Sequence, residues 1–208
     1  MSVPCPEPLA ADDEALDRYR QLVGRYHRAL DLMSDRGLAE LDAKLVDAEA
    51  YASAVATHAP PGPVLDVGSG VGLPGVVVAL RNRGRTVVMV ERRRRRAAFL
   101  QLVVSQCGLG NAVVVGEDVR RVGPERTGGP LAAVTAQAVA GWRELYRLTE
   151  QLHGVEVVLI ARRGGAWAEE VAAFAEALEA EVRVVGAETL RRGGTLVVLS
   201  APGGRPCR

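Results

Sequence analysis

The chain has 208 residues, 48% hydrophobic and 25% charged, a composition that fits one ordinary globular domain with a small helical addition. A formal net charge of +1 gives no global electrostatic case for nucleic-acid binding, so any such role must rest on local patches of the 26 cationic residues, all arginine except Lys44. No run approaches the ~18 apolar residues that span a bilayer, and Cys5, Cys107 and Cys207 are spaced for neither a metal cluster nor a disulfide framework; the expectation is a cytoplasmic protein with no membrane partner.

In chain order, residues 1–11 carry three prolines and Glu7 and read as a disordered lead-in, without the basic-then-apolar pattern of a signal peptide. Asp12 and Asp13 offer N-caps for a helix whose Leu16, Tyr19, Leu22, Val23, Tyr26 and Leu30 form one stripe. A second helix is predicted over 37–57 and is broken by His58-Ala-Pro-Pro-Gly-Pro63, so residues 12–60 read as an N-terminal helical extension.

From Val64 the pattern changes. Aliphatic runs at 64–67, 86–90, 112–115, 131–135, 155–161, 181–185 and 194–200 alternate with helical patterns at 73–83, 92–107, 142–152 and 167–180. Nearly continuous Val and Leu strands alternating with helices predict a parallel sheet covered on both faces. The last two runs leave no room for a helix between them and predict an antiparallel hairpin at the sheet edge. The expected fold class is therefore α/β: a Rossmann-like, mostly parallel seven-stranded sheet with an antiparallel C-terminal hairpin, spanning 61–201, with 202–208 as a tail.

The segment Pro63-Val-Leu-Asp-Val-Gly-Ser-Gly-Val-Gly-Leu-Pro-Gly75 carries the most information. A buried strand ends near Asp66, and Gly68, Gly70 and Gly72 then occur at every second position before a helix. Glycine there permits positive φ and a close approach of backbone to ligand, and Pro74 suits a first helical turn. The spacing is G-x-G-x-G, whereas the dinucleotide fingerprint is G-x-G-x-x-G, which sets a pyrophosphate on the helix N-terminus. S-adenosylmethionine has no pyrophosphate, and an acidic Asp66 beside the loop suits its ammonium group. Glu91, at the end of the next strand, can accept both ribose hydroxyl hydrogen bonds of an adenosine cofactor. The closing hairpin points the same way, because it is common in methyltransferase sheets and absent from dehydrogenase-type ones.

The run Leu65-Asp-Val-Gly-Ser-Gly-Val-Gly-Leu-Pro-Gly75, followed by Glu91-Arg-Arg-Arg-Arg-Arg-Ala-Ala-Phe-Leu100, resembles the RsmG (GidB) family. The Leu-Pro-Gly extension is more specific than the general methyltransferase loop. The resemblance implies a class I methyltransferase with S-adenosylmethionine as cofactor, acting on N7 of a guanine in 16S ribosomal RNA. It implies cofactor contacts at Gly68, Leu73, Val119, Arg120 and Gln137. It also implies the small ribosomal subunit or its RNA as partner, and we expect a monomer. Where the family has Arg-Ala-Val the chain reads Gln137-Ala-Val139, and where it has an acidic residue the chain has Arg120. The helix motif Arg-His-x-x-Asp-Ser reads Ala43-Lys-Leu-Val-Asp-Ala48, and Leu-Lys-Gly reads Arg162-Arg-Gly164. These departures leave two alternatives open: a methyltransferase with another RNA or small-molecule acceptor, and a non-catalytic RNA- or protein-binding relative.

Guanine N7 carries an available lone pair, so methylation there needs proximity and orientation more than a base. In keeping with that, Ala133-Val-Thr-Ala-Gln-Ala-Val139 holds neither an Asn/Asp-Pro-Pro-aromatic motif nor a Pro-Cys pair, and no catalytic acid, base or nucleophile is nominated. Candidate RNA contacts are Arg92 and Arg93 in the densest basic run, Arg162 and Arg163 at a strand's carboxyl end, and Lys44 on the second helix. Arg191-Arg192 reads as a hairpin turn. Trp142 and Trp167 each open a helix, and packing is the expected role for both.

Overall fold

Successive strand residues face opposite sides of a sheet, and this chain fills both sides with aliphatics. A computed structural model describes residues 8–137 and 141–203. Within them the chain runs α1 (Pro8–Tyr26), α2 (Asp35–Ala39), α3 (Leu41–His58), β1 (Val64–Val67), α4 (Gly75–Arg81), β2 (Val87–Val90), α5 (Arg94–Gln106) and β3 (Ala112–Val115). It continues through α6 (Pro124–Thr127), β4 (Leu131–Ala136), α7 (Trp142–Thr149), β5 (His153–Arg163), α8 (Trp167–Leu178), β6 (Arg183–Thr189) and β7 (Thr195–Pro202). The strands form one seven-stranded sheet in the order β3-β2-β1-β4-β5-β7-β6. The first five strands pair in parallel, and β7 runs antiparallel to both β5 and β6.

Alternation assigns each strand residue to a layer. Val64, Val87, Met89, Ala133 and Val158 join the layer under α1, α3, α4 and α5, where Tyr19, Tyr51, Val55 and Leu100 are fully buried. Leu65, Val88, Val134, Leu159 and Val197 join the opposite layer with Trp142, Leu145 and Phe174 of α7 and α8. At roughly 1.5–3 kcal/mol for each large aliphatic withdrawn from water, these two layers dominate the stabilisation.

The observed elements sharpen the expected ones. The first helix starts at Pro8, before the aspartates expected to cap it; Asp12 is buried inside the helix and accepts from Arg83 Nη2 at 2.7 Å. The helix predicted over 37–57 is two helices separated at Glu40, with Ser34 capping the first by accepting from Gly37 N at 3.1 Å. β5 extends to His153–Arg163 because β7 pairs with it from Glu156 to Arg163. β6 begins at Arg183, two residues later than expected, and a bulge lies between Val184 and Gly186. Residues 1–7 of the expected lead-in, 204–208 of the tail, and Ala138 and Val139 lie outside the described residues. Among the described residues no helix is long and apolar enough to cross a membrane.

Candidate functional site

Strand order reverses direction between β1 and β4, and open α/β sheets bind ligands outside the carboxyl ends at such a switch point. The loop after β1 lies there. Gly68, Gly70 and Gly72 have φ of 68°, 59° and 109°, the left-handed backbone that favours glycine. Ser69 ties the loop down: its N donates to Val90 O at 3.0 Å and its Oγ to Asp66 O at 3.0 Å. From the helical extension, Tyr19 Oη donates to Val71 O at 3.2 Å, and burial pushes its phenol pKa upward.

The Asp66 carboxylate serves the loop from behind. Parallel register sets Asp66 beside Thr135, whose Oγ1 donates to Asp66 Oδ1 at 2.8 Å, and Gly75 N donates to Oδ2 at 3.2 Å. The residue is 1% exposed and is not part of the cavity lining, so the carboxylate expected to meet an ammonium group is committed to the start of α4 instead. Burial raises its pKa to about 6.

Glu91 is placed differently. Its Oε2 accepts from Gly70 N at 3.0 Å and its Oε1 from Arg93 N at 2.8 Å, while the residue borders a cavity of about 540 Å³. Each carboxylate oxygen has a second lone pair free to accept, so two adjacent hydroxyls presented from the cavity can be bound. Gly68, Val119, Arg120 and Gln137 line the same space. Val119 opens a short 3₁₀ turn, Val119–Arg121, capped by Asp118, whose Oδ1 accepts from Arg120 N at 3.0 Å. The Arg120 guanidinium lies 3.6 Å from Asp118 Oδ2 and is exposed.

The nine residues expected to bind a cofactor therefore divide in two. Gly68, Glu91, Val119, Arg120 and Gln137 meet around one cavity, and Asp66, Gly70, Gly72 and Leu73 shape the loop behind it.

The residues expected to touch RNA divide as well. Arg92 and Arg93 are exposed on the cavity rim. Lys44 is only 16% exposed and ion-pairs Glu40 Oε2 at 3.1 Å, one turn back on the same helical path. Arg162 Nη2 donates to Arg192 O at 2.9 Å, holding the hairpin turn that Arg191 and Arg192 form between β6 and β7. Arg163 packs its guanidinium 4.2 Å from the centre of the Trp142 ring, 3.7 Å from Glu170 Oε2, and burial lowers its pKa. Trp142 is buried, as expected of a packing residue, and Trp167 packs against the same layer.

Two residues near the carboxyl ends escaped the sequence reading. Tyr51 of α3 donates to Ala136 O at 3.2 Å and accepts from Arg162 N at 3.0 Å, joining the ends of β4 and β5. Burial pushes its phenol pKa upward, so it keeps its proton. Asp118 lines the cavity with its capping carboxylate. Tyr51 shares its helical stripe with Leu45, Ala48 and Val55, which made it indistinguishable from core.

Residues 12–193 match the model of the GidB family, described as rRNA small subunit methyltransferase G. A ribosomal RNA small subunit methyltransferase G of Mycobacterium marinum is 39% identical over 141 residues, covering 65% of this chain and 61% of that protein. The protein of the same name from Halorhodospira halophila is 33% identical over 167 residues, covering 79% and 76%. In the first of these, as in the Corynebacterium efficiens protein at 60%, the matched stretch spans less than two thirds of the relative. Among solved structures, magnesium protoporphyrin IX methyltransferase from Synechocystis with bound SAH superimposes with a TM-score of 0.60 at 11% identity, covering 89% of this chain and 100% of that one. A SAM-dependent methyltransferase from Aquifex aeolicus gives 0.55 at 14% identity, covering 76% and 90%. At such identities the likeness is one of fold.

Proposed function

This chain belongs to the rRNA small subunit methyltransferase G (GidB) family, and on that premise we propose that it is an S-adenosylmethionine-dependent methyltransferase acting on guanine N7 of 16S ribosomal RNA. The observation that carries the reading is the pairing of Gly70 with Glu91 at the cavity's edge: a left-handed glycine loop braced against a buried carboxylate with lone pairs to spare.

The residues fit the cofactor. The cavity, about 540 Å³, falls within the rough 300–1,000 Å³ range of small-molecule sites. Glu91 would accept the two ribose hydroxyls, Gly68 would let the backbone approach, and Val119 would offer an apolar flank to the purine. When bound, S-adenosylmethionine supplies a methyl group on a positively charged sulfur. The chain's own task is then to orient the acceptor and exclude water, since the N7 lone pair needs no deprotonation. Tyr51, with its proton retained by burial, acts as a neutral strut between Ala136 and Arg162. The substrate on this reading is small-subunit RNA in the cytoplasm.

Calorimetry with S-adenosylmethionine and with NAD tests the cofactor; saturable binding of the first alone is expected, and its absence would sink the proposal. Glu91→Ala should weaken that binding about 10- to 100-fold, the cost of hydrogen bonds to a charged group. Labelled-methyl transfer to small-subunit RNA, with mapping of the modified base, tests the acceptor. Tight cofactor binding without transfer to RNA would favour the alternative of another acceptor.

A further inference from the structure

Arginines crowd the carboxyl edge of the sheet beyond β2, β3 and β4, and the cofactor accounts for at most one of them. S-adenosylmethionine carries no phosphate; its one carboxylate can pair a single arginine, and its sulfonium is itself cationic. Yet Arg92 and Arg93 rim the cavity beside Glu91, and Arg120, Arg143 and Arg147 line a contiguous hollow of about 670 Å³ that shares Arg120, Glu144 and Leu148 with it. Glu144 is the one carboxylate in that second lining.

These arginines are also placed against the interest of their own helices. In α7, Trp142, Leu145, Tyr146 and Thr149 are buried, which turns Arg143 and Arg147 outward on the opposite face, one turn apart. Like charges at that spacing destabilise a helix. Arg94 and Arg95 open α5, where the positive end of the helix dipole disfavours cations. Among the described residues no hydrogen bond or ion pair is found for the side chains of Arg92, Arg93, Arg143 and Arg147, all exposed. By contrast, Lys44, Arg162 and Arg163 across the cleft are engaged by Glu40, Arg192 O and the Trp142 ring.

We infer that the exposed faces of α7 and of the α5 start form the track for the RNA phosphate backbone, with Arg143 and Arg147 as its outer contacts and Arg92 and Arg93 as its inner ones. This rests on the reading that the chain acts on RNA and adds where that RNA lies. The strand on this reading passes beside the cavity that Glu91 borders. Contacts of this kind fix register without reading sequence.

The test is RNA binding by the full chain across a salt series, using a 16S ribosomal RNA fragment, with S-adenosylmethionine affinity measured in parallel. Arg143→Ala/Arg147→Ala should weaken RNA binding roughly tenfold and reduce the salt slope by about 1.4, the value for two lost single-strand phosphate contacts. Cofactor affinity should not change, which also reports that the variant is folded. Arg143→Lys/Arg147→Lys should restore most of the slope, because phosphate contacts need charge. If the alanine pair binds RNA with wild-type affinity and slope, the track is overturned while the methyltransferase reading stands. If the unaltered chain binds the cofactor but no RNA at any salt, the RNA reading falls and the track with it.

Discussion

Arginine does opposite work at the two ends of the sheet. At the amino end, Arg81, Arg83 and Arg85 near the strand starts are consumed by the fold. Arg81 meets Glu49 Oε1 at 2.9 Å, Asp13 at 3.5 Å and Asp12 at 3.6 Å. Arg83 meets Asp12 at 2.7 Å, and Arg85 donates to the carbonyls of Ala59, Pro60 and Gly62. These contacts fasten the helical extension to the sheet. At the carboxyl end the internal work falls to the buried carboxylates Asp66 and Glu91 and, after β5, to Arg162 and Arg163, while Arg92, Arg93, Arg143 and Arg147 point outward. A net charge of +1 conceals this division. What matters for a polyanionic ligand is which cations are left unneutralised, and on which face.

The contrast can be broken hardest at the carboxyl end by touching its carboxylate brace. A Cβ on Gly75 would lie 2.7 Å from Asp66 Oδ2 and 2.7 Å from Met89 Cγ, in a fully packed setting. Gly75→Ala should therefore cost about 3 kcal/mol by overpacking, read as a fall in denaturation midpoint, together with weaker cofactor binding.

Next comes the pH dependence of Asp66. Its carboxyl keeps a proton to about pH 6 in the folded chain, against 3.8 ordinarily. The folded state thus binds the extra proton between those values, and this contribution to stability is full below about pH 4 and lost as pH rises through 6. The stability difference between wild type and Asp66→Asn should move by roughly 2–3 kcal/mol in favour of the variant from pH 4 to 6.5. His153, buried with its pKa lowered to about 4, titrates with the opposite sign but is common to both proteins and cancels. A pH-independent difference would show that Asp66 is ionised throughout.

Smaller effects sharpen the comparison of arginines. Arg81→Ala should cost about 2 kcal/mol, less than a fully buried pair because the side chain is 25% exposed. In chemical denaturation Arg143→Ala should change stability by no more than about 0.5 kcal/mol, since it is exposed and relieves repulsion with Arg147. If Arg143→Ala cost as much as Arg81→Ala, the distinction between arginines serving the fold and arginines serving a ligand would fail.

Periodicity was enough for the strands and for most helices, because alternating Val and Leu runs leave little freedom about which face is buried. It misplaces boundaries where tertiary contacts matter: Asp12, which has the residue type of a cap, lies inside a helix that starts at Pro8 and pairs with Arg83, and β5 outgrows its apolar run because β7 pairs with its polar ends. Within the site, the G-x-G-x-G spacing identified the loop and the acidic strand end identified Glu91, both local patterns. Asp66 and Lys44 were legible as charges but not as partners, because Thr135 and Gly75 in one case and Glu40 in the other satisfy them in space.

The sequence by itself determined the order of elements, the glycine conformations and the family, since these follow from residue type and spacing along the chain. Only the tertiary structure decided which charges are spent and which remain. Neutralisation depends on partners as far apart in sequence as Asp12 and Arg83, or Glu49 and Arg81. It therefore took the folded chain to separate the arginines that hold the protein together from those at the cleft rim that are open to a ligand.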